Sequence, residues 1–191
     1  MRKINPPRQS VIIVDGKKYD AKYVGKGQYS KVFRVGDRVV YYTKGDCGKE
    51  VLSLYVYDKE THLPELIRHE NVMDYFVFSS PYYRNVKRTD SSAYRVMNTL
   101  IKEFRIFMSE YRHYQQQAYG RVTDGERSML AFVKYLQKAK MVPQSIIRVL
   151  FRLYELARNC GDSIGFDFKR SNFGVNEYGT LIFRDPIWVW G

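Results

Sequence analysis

A chain of 191 residues that is 45% hydrophobic and 16% aromatic has ample apolar surface for a buried core, so disorder is excluded, and its length suits one folding unit or two small lobes. Two cysteines, Cys47 and Cys160, and three dispersed histidines exclude a disulfide scaffold and a zinc module. The formal charge is +12, and residues 1–50 alone carry twelve Lys and Arg against five Asp and Glu; a solvated basic face, nucleotide phosphates, nucleic acid or an acidic protein would each account for that surplus.

Residues 1–9, with two prolines and three basic side chains, read as a flexible basic arm. They lack the apolar core of a signal peptide, and no run of about 18 apolar residues follows, so a soluble cytoplasmic protein without membrane contact is expected. Ser10–Val14, Lys22–Val24, Tyr29–Val35 and Arg38–Thr43 are β-branched or aromatic runs, and Gly36-Asp37 has the composition of a tight hairpin turn. From Gly48 to about Asp58, Val51, Leu54 and Tyr55 recur at helical spacing, and Leu66–Arg68 and Tyr75–Phe78 read as further strands. Ser79-Ser80-Pro81 interrupts the pattern. Strands and one helix thus fill residues 10–85.

The remainder, 86–191, is helical first. Asp90-Ser91 can cap a long helix with Tyr94, Met97, Ile101, Phe104, Met108 and Tyr111 on one face. Further helices are expected over Gly125–Lys140 and over Gln144–Asn159, the latter burying Ile146, Val149, Leu150 and Leu153 and ending before Gly161. The tail then reads as a loop and a hairpin, Asn172–Val175 with Thr180–Arg184, turning at Asn176–Gly179.

Chemistry concentrates in that tail. Asp167-Phe168-Lys169-Arg170-Ser171-Asn172 is followed thirteen residues later by Asp185, after the apolar strand Leu181-Ile182-Phe183. A loop carboxylate can orient a hydroxyl and accept its proton, an amide five residues on can coordinate Mg²⁺, and a hairpin returns a second carboxylate to the same metal.

This spacing resembles the Asp-x-Lys-x-x-Asn loop and metal aspartate of protein kinases. Near the other end, Gly25-Lys26-Gly27-Gln28-Tyr29-Ser30-Lys31-Val32 is similar to the kinase glycine loop. Phe166-Asp167, the Asn-x-x-Gly hairpin and Asp185-Pro186 resemble more narrowly the small early serine/threonine kinases of short-tailed bacteriophages, over residues 22–78 loosely and 144–187 closely. The resemblance implies an α+β, minimal two-lobed protein-kinase-like fold: an N-terminal antiparallel sheet with one helix, then a helical lobe truncated after the metal-binding aspartate.

It also implies ATP and Mg²⁺ as cofactors and γ-phosphoryl transfer to serine and threonine of host proteins. Asp167 would be the base and Lys169 would steady the phosphoryl group. Asn172 and Asp185 would hold the metal, and Gly25, Gly27, Tyr29 and Val32 would line the nucleotide. The phosphate-pairing lysine is Lys44 counted from Val32, with Glu50 as its partner, or its place is taken by Tyr41 counted from the strand start; Lys44 is preferred. Gly165 stands where kinases usually have histidine, and six residues after Asp185 leave no activation segment. A peptide would then dock on the 86–140 helices or on a second subunit; Trp188 and Trp190 are cover for an exposed core edge, a homodimer contact or ordinary packing. The alternatives are a kinase-like binding module that engages a host protein or nucleic acid through its basic surface, and a small-molecule phosphotransferase.

Overall fold

The computed structural model describes residues 9–27, 29–45, 47–54, 61–119, 125–158 and 164–189, and these form an α+β protein. β1 (Gln9–Val14) and β2 (Lys17–Lys26) are joined by Asp15-Gly16, both at positive φ, 48° and 72°. An Asp-Gly pair tolerates that geometry. β2 extends beyond the expected Lys22–Val24 because residues 17–22 pair with β1, and its first residues, exposed Lys, Tyr and Asp, show no apolar alternation that would signal this. β3 (Ser30–Val35) and β4 (Arg38–Thr43) form the expected hairpin over Gly36-Asp37. α1 spans Cys47–Leu54; the expected remainder of that helix lies outside the described residues, as do residues 1–8 of the expected 1–9 arm, whose last residue, Gln9, instead opens β1.

β5 (Ile67–Val72) and β6 (Tyr75–Pro81) complete one antiparallel sheet in the order β1-β2-β3-β4-β6-β5. The expected break at Ser79-Ser80-Pro81 does not occur. β6 runs on through them, with Ser79 opposite Val40 and Ser80 opposite Val39, and proline is tolerated because it is the last residue of the strand.

The sheet curls. Ile12, Val14, Ala21, Val40 and Val77 are buried on one face, with Phe33, Val35, Tyr42 and Val72 packed against them. Asp15 in the first turn accepts the Glu70 N–H at 3.0 Å and lies 2.7 Å from His69 Nδ1, while His69 Nε2 is 2.7 Å from Ser79 Oγ. The outermost hairpin is thereby pinned to β5. The Tyr42 hydroxyl accepts from the Ile13 N–H at 2.9 Å and donates to the Ile13 carbonyl, which covers the backbone of that edge strand.

In the helical region, α2 (Ser91–Tyr119) buries Ala93, Met97, Leu100 and Ile101. Asp90 serves α2 through its carbonyl, which accepts the Tyr94 N–H at 2.8 Å. Its carboxylate is engaged elsewhere, by Arg84 at 2.5 and 2.7 Å and by the Lys87 N–H at 2.8 Å, so the expected side-chain cap is replaced by an ion pair. α3 (Gly125–Ala139) stops at Lys140, whose φ is 53°. α4 (Gln144–Ala157) buries the four expected residues along with Ile147, Leu156 and Ala157; Asn159 and Gly161 lie outside the described residues.

The tail forms two short antiparallel pairs. β8 (Phe173–Val175) and β9 (Leu181–Phe183) are the expected hairpin, with Asn176 Oδ1 accepting the Tyr178 and Thr180 N–H groups in its turn. β7 (Ile164–Phe166) pairs with β10 (Ile187–Val189), a partnership the sequence reading lacks. Trp190 and the side chain of Trp188 lie outside the description. The described residues of Met1–Tyr57 with Glu65–Tyr82 form one compact unit, and those of Asp58–Pro64 with Tyr83–Gly191 form a second. In the second unit His62 is held by Leu181 O at 2.8 Å and Ser145 Oγ at 3.2 Å, and its own carbonyl accepts the Phe183 N–H.

Candidate functional site

The loop that carries Asp167 is positioned by its neighbours. Phe166 and Phe168 are 1% and 6% exposed, with rings stacked 4.9 Å apart, and Phe168 also meets Phe104, Phe132, Phe173 and Phe183. Burying each ring is worth about 2 kcal/mol, so the alternating pattern seats the loop firmly and leaves Asp167 partly exposed between two anchors.

Three of the expected site residues are brought together. The Asp167 N–H donates to Pro186 O at 2.9 Å, and the Arg184 N–H donates to Asn172 O at 2.8 Å. The residues on either side of Asp185 are therefore bonded to the two ends of the 167–172 loop. Within that loop the Asn172 side-chain amide donates to Asp167 O at 2.9 Å and the Asn172 N–H to Lys169 O at 2.9 Å. Lys169 Nζ reaches Asp167 Oδ2 at 3.0 Å; at 72% exposure this pair contributes at most about 1 kcal/mol to stability but holds a cation beside the carboxylate.

Asn172 uses its N–H₂ inside the loop, so its oxygen is the atom left for an outside partner, with Ser171 Oγ 3.3 Å from it. Among the described residues no three His, Cys, Asp or Glu side chains gather into a metal cage. One carboxylate and one amide oxygen are instead the partial, hard-oxygen set that suits Mg²⁺ shared with phosphates.

Arg184 was not anticipated. It donates to Tyr83 O at 3.1 Å, Asn85 Oδ1 at 2.9 Å and Ser171 O at 2.7 Å, bracing the segment before Asp185. A single basic residue at a strand end gives no sequence signal of that role. Gly174 beside it permits the close approach of 83–84: a Cβ there would lie 2.8 Å from Tyr83 Cβ and 3.1 Å from Arg84 O.

No protein-family model matches this chain, and no curated protein matches it. Function has to be read from the residues themselves.

In the N-terminal sheet Gly25 ends a register shift after Tyr23 and pairs with Val32, and the Gly27 N–H closes the turn onto Ser30 O at 2.8 Å. Neither glycine has a positive φ, and a Cβ on either would meet nothing within 4 Å. Nothing within the described chain demands glycine at these positions. Tyr29 is exposed, and its carbonyl accepts the Lys44 N–H at 3.0 Å; Gln28 lies outside the described residues.

The expected Lys44–Glu50 pair is corrected by the register. Val32 stands opposite Tyr41, so the two share a face, and Lys44 falls on the other one with Tyr42. There Lys44 Nζ sits 4.6 Å from the Tyr75 ring centre and 3.4 Å from Asp74 Oδ2, on a side chain that is 53% exposed. Glu50, in the first turn of α1, is half-buried, and its carbonyl accepts the Ser53 hydroxyl. Among the cations on Val32's face, the one nearest Tyr41 that is buried comes from α1: Lys49 is 5% exposed and its Nζ lies 5.5 Å from the centre of the Tyr41 ring, whereas Arg34 and Lys22 on the strands are exposed.

Proposed function

We propose that the chain is an ATP-dependent phosphotransferase of the protein-kinase type, acting on serine and threonine hydroxyls of proteins, in keeping with its resemblance to the small bacteriophage kinases. The observation that carries this reading is the bracketing of Asp185 by backbone bonds from Arg184 to Asn172 and from Asp167 to Pro186. Two carboxylates and an amide are held together in the order and spacing that phosphoryl transfer uses.

Asn172 and Asp185 would hold Mg²⁺, which when bound neutralises charge on the nucleotide phosphates. Asp167 orients the acceptor hydroxyl and takes its proton as the oxygen attacks the γ-phosphorus; the bond to the β-phosphate oxygen breaks and ADP departs. Lys169, 3.0 Å from Asp167, steadies the negative charge of the transferring group. On the N-terminal sheet Gly25, Gly27, Tyr29 and Val32 would receive the nucleotide, with Lys49 in place of Lys44 as the phosphate-pairing cation.

The test is transfer of label from γ-labelled ATP to proteins of a bacterial lysate in Mg²⁺, beside Asp167→Ala and Asp185→Asn. Label is expected with the native chain and not with either variant, while Asp167→Ala keeps its nucleotide affinity; equal labelling by all three would overturn the reading. A kinase-shaped binding module is the second reading, and the presence of Tyr41 where a strand lysine would face Val32 favours it. Mg²⁺-dependent ATP binding without transfer would select that alternative.

A further inference from the structure

A groove of about 490 Å³, lined by charged and hydrogen-bonding side chains, runs along the N-terminal part of α2. Arg95, Asn98 and Lys102 recur on one face of the helix, opposite the buried Met97, Leu100 and Ile101, and Arg88 lies at the groove's near end. Arg88, Arg95 and Lys102 are exposed. The one carboxylate in the lining, Glu103, is buried, accepts the Tyr135 hydroxyl at 2.9 Å and lies 3.7 Å from Lys102 Nζ, so it offsets part of that lysine's charge and leaves the excess of the lining positive.

The groove is tied to the 167–172 loop. Arg170, next to Lys169, donates to Asn98 Oδ1 at 2.9 Å, and its guanidinium lies 5.8 Å from the centre of the Tyr94 ring. Arg88, then Asn98 and Arg170, hold the Tyr94 phenol below its ordinary pKa through hydrogen bonds, the mark of a positive environment. Four cations, Arg88, Arg95, Lys102 and Arg170, thus form a track that begins beside the carboxylate offered to an acceptor hydroxyl.

We propose that this track docks an acidic stretch of Asp and Glu residues flanking the acceptor serine or threonine of a protein substrate. Guanidinium groups in a row match carboxylates by charge and by forked geometry, and the adjacency to Lys169 sets the acidic stretch beside the residue to be modified. The name of the substrate class rests on the phosphotransferase reading; the binding does not.

The test uses the whole chain and three fluorescein-labelled peptides of equal length around one serine, with Asp/Glu, neutral or Lys/Arg flanks. Anisotropy measures binding and γ-labelled ATP measures transfer on the same peptides. The acidic peptide is expected to bind about tenfold more tightly than the neutral one, and Arg95→Glu with Lys102→Glu is expected to abolish that preference. Arg95→Gln with Lys102→Gln gives the milder version should charge reversal perturb folding, which circular dichroism reports. Equal binding of the three peptides, a preference that survives both variants, or displacement of the acidic peptide by single-stranded RNA at lower concentration than by unlabelled peptide would overturn the assignment. Acidic preference in binding without transfer would sink the kinase reading and leave the groove; transfer without preference would do the reverse.

Discussion

Asn172 donates its side-chain amide to the backbone carbonyl of Asp167, 2.9 Å away, and so closes the loop that links the proposed base to the proposed metal ligand. A single side chain therefore has a structural atom, its nitrogen, and, in the proposed mechanism, a metal-binding atom, its oxygen.

Asn172→Asp separates the two. It keeps an oxygen but cannot donate to Asp167 O, and an unmet carbonyl costs about 1–2 kcal/mol. Melting temperature should fall and the transfer rate should drop by about tenfold or more; Asn172→Ala, lacking both atoms, should lose transfer altogether. Equal rates in the two variants would show that the amide bond, not the oxygen, is what matters.

Lys49 and Lys44 should part company. Lys49→Met removes a buried cation from the face of Val32 and is expected to weaken ATP binding about tenfold to a hundredfold, the worth of one charge-assisted hydrogen bond. Lys44→Ala, on the other face, should leave the affinity unchanged and alter stability by no more than about 1 kcal/mol. Calorimetric titration with MgATP decides; the opposite ranking would restore Lys44.

The loop glycines offer a test in which folding and binding diverge. With open space around each Cβ position and no positive φ, Gly25→Ala and Gly27→Ala should leave stability unchanged or raise it by about 0.4–1 kcal/mol. ATP affinity should nevertheless fall, because a methyl group keeps phosphates off the backbone. Full affinity in both variants would mean that nothing approaches this loop closely.

Acid stability should carry the signature of Asp90. The Arg84 guanidinium, and after it the Lys87 N–H, lower its pKa from 3.8 to about 2. A carboxylate with a depressed folded-state pKa stabilises the fold above its unfolded value and loses that contribution as pH falls through the folded one. Between about pH 4 and pH 2 the native chain should therefore lose stability more steeply than Asp90→Asn, as urea midpoints would record; parallel slopes would remove Asp90 from the account.

Much of this was legible in the residues. The β-branched and aromatic run of Val39 to Thr43 and the helical spacing of Ile146 to Leu153 mark elements directly, and Asp167, Asn172 and Asp185 stand out because the proposed phosphoryl transfer would use oxygen groups at loop and strand ends. The face of Lys44 was also readable in principle. A two-residue turn at Gly36-Asp37 places Val35 opposite Arg38, and counting outward from that pair puts Tyr41 opposite Val32. β7 and β10, three residues each, are too short for any periodicity to show. Lys49 escaped for another reason: how a helix lies on a sheet is a tertiary fact, and a lysine in a short helix is ordinarily read as solvated.

Asp185 stands immediately before Pro186, and a proline ring crowds the residue ahead of it out of the helical region of backbone space. With hydrogen bonds at 184 and again at 186, the main chain is tethered on both sides of that aspartate. In the phosphotransferase proposed above, a metal carboxylate seated this way would not serve as an on–off latch. Its output would be governed by supply: how much chain is made, and which proteins come within its reach.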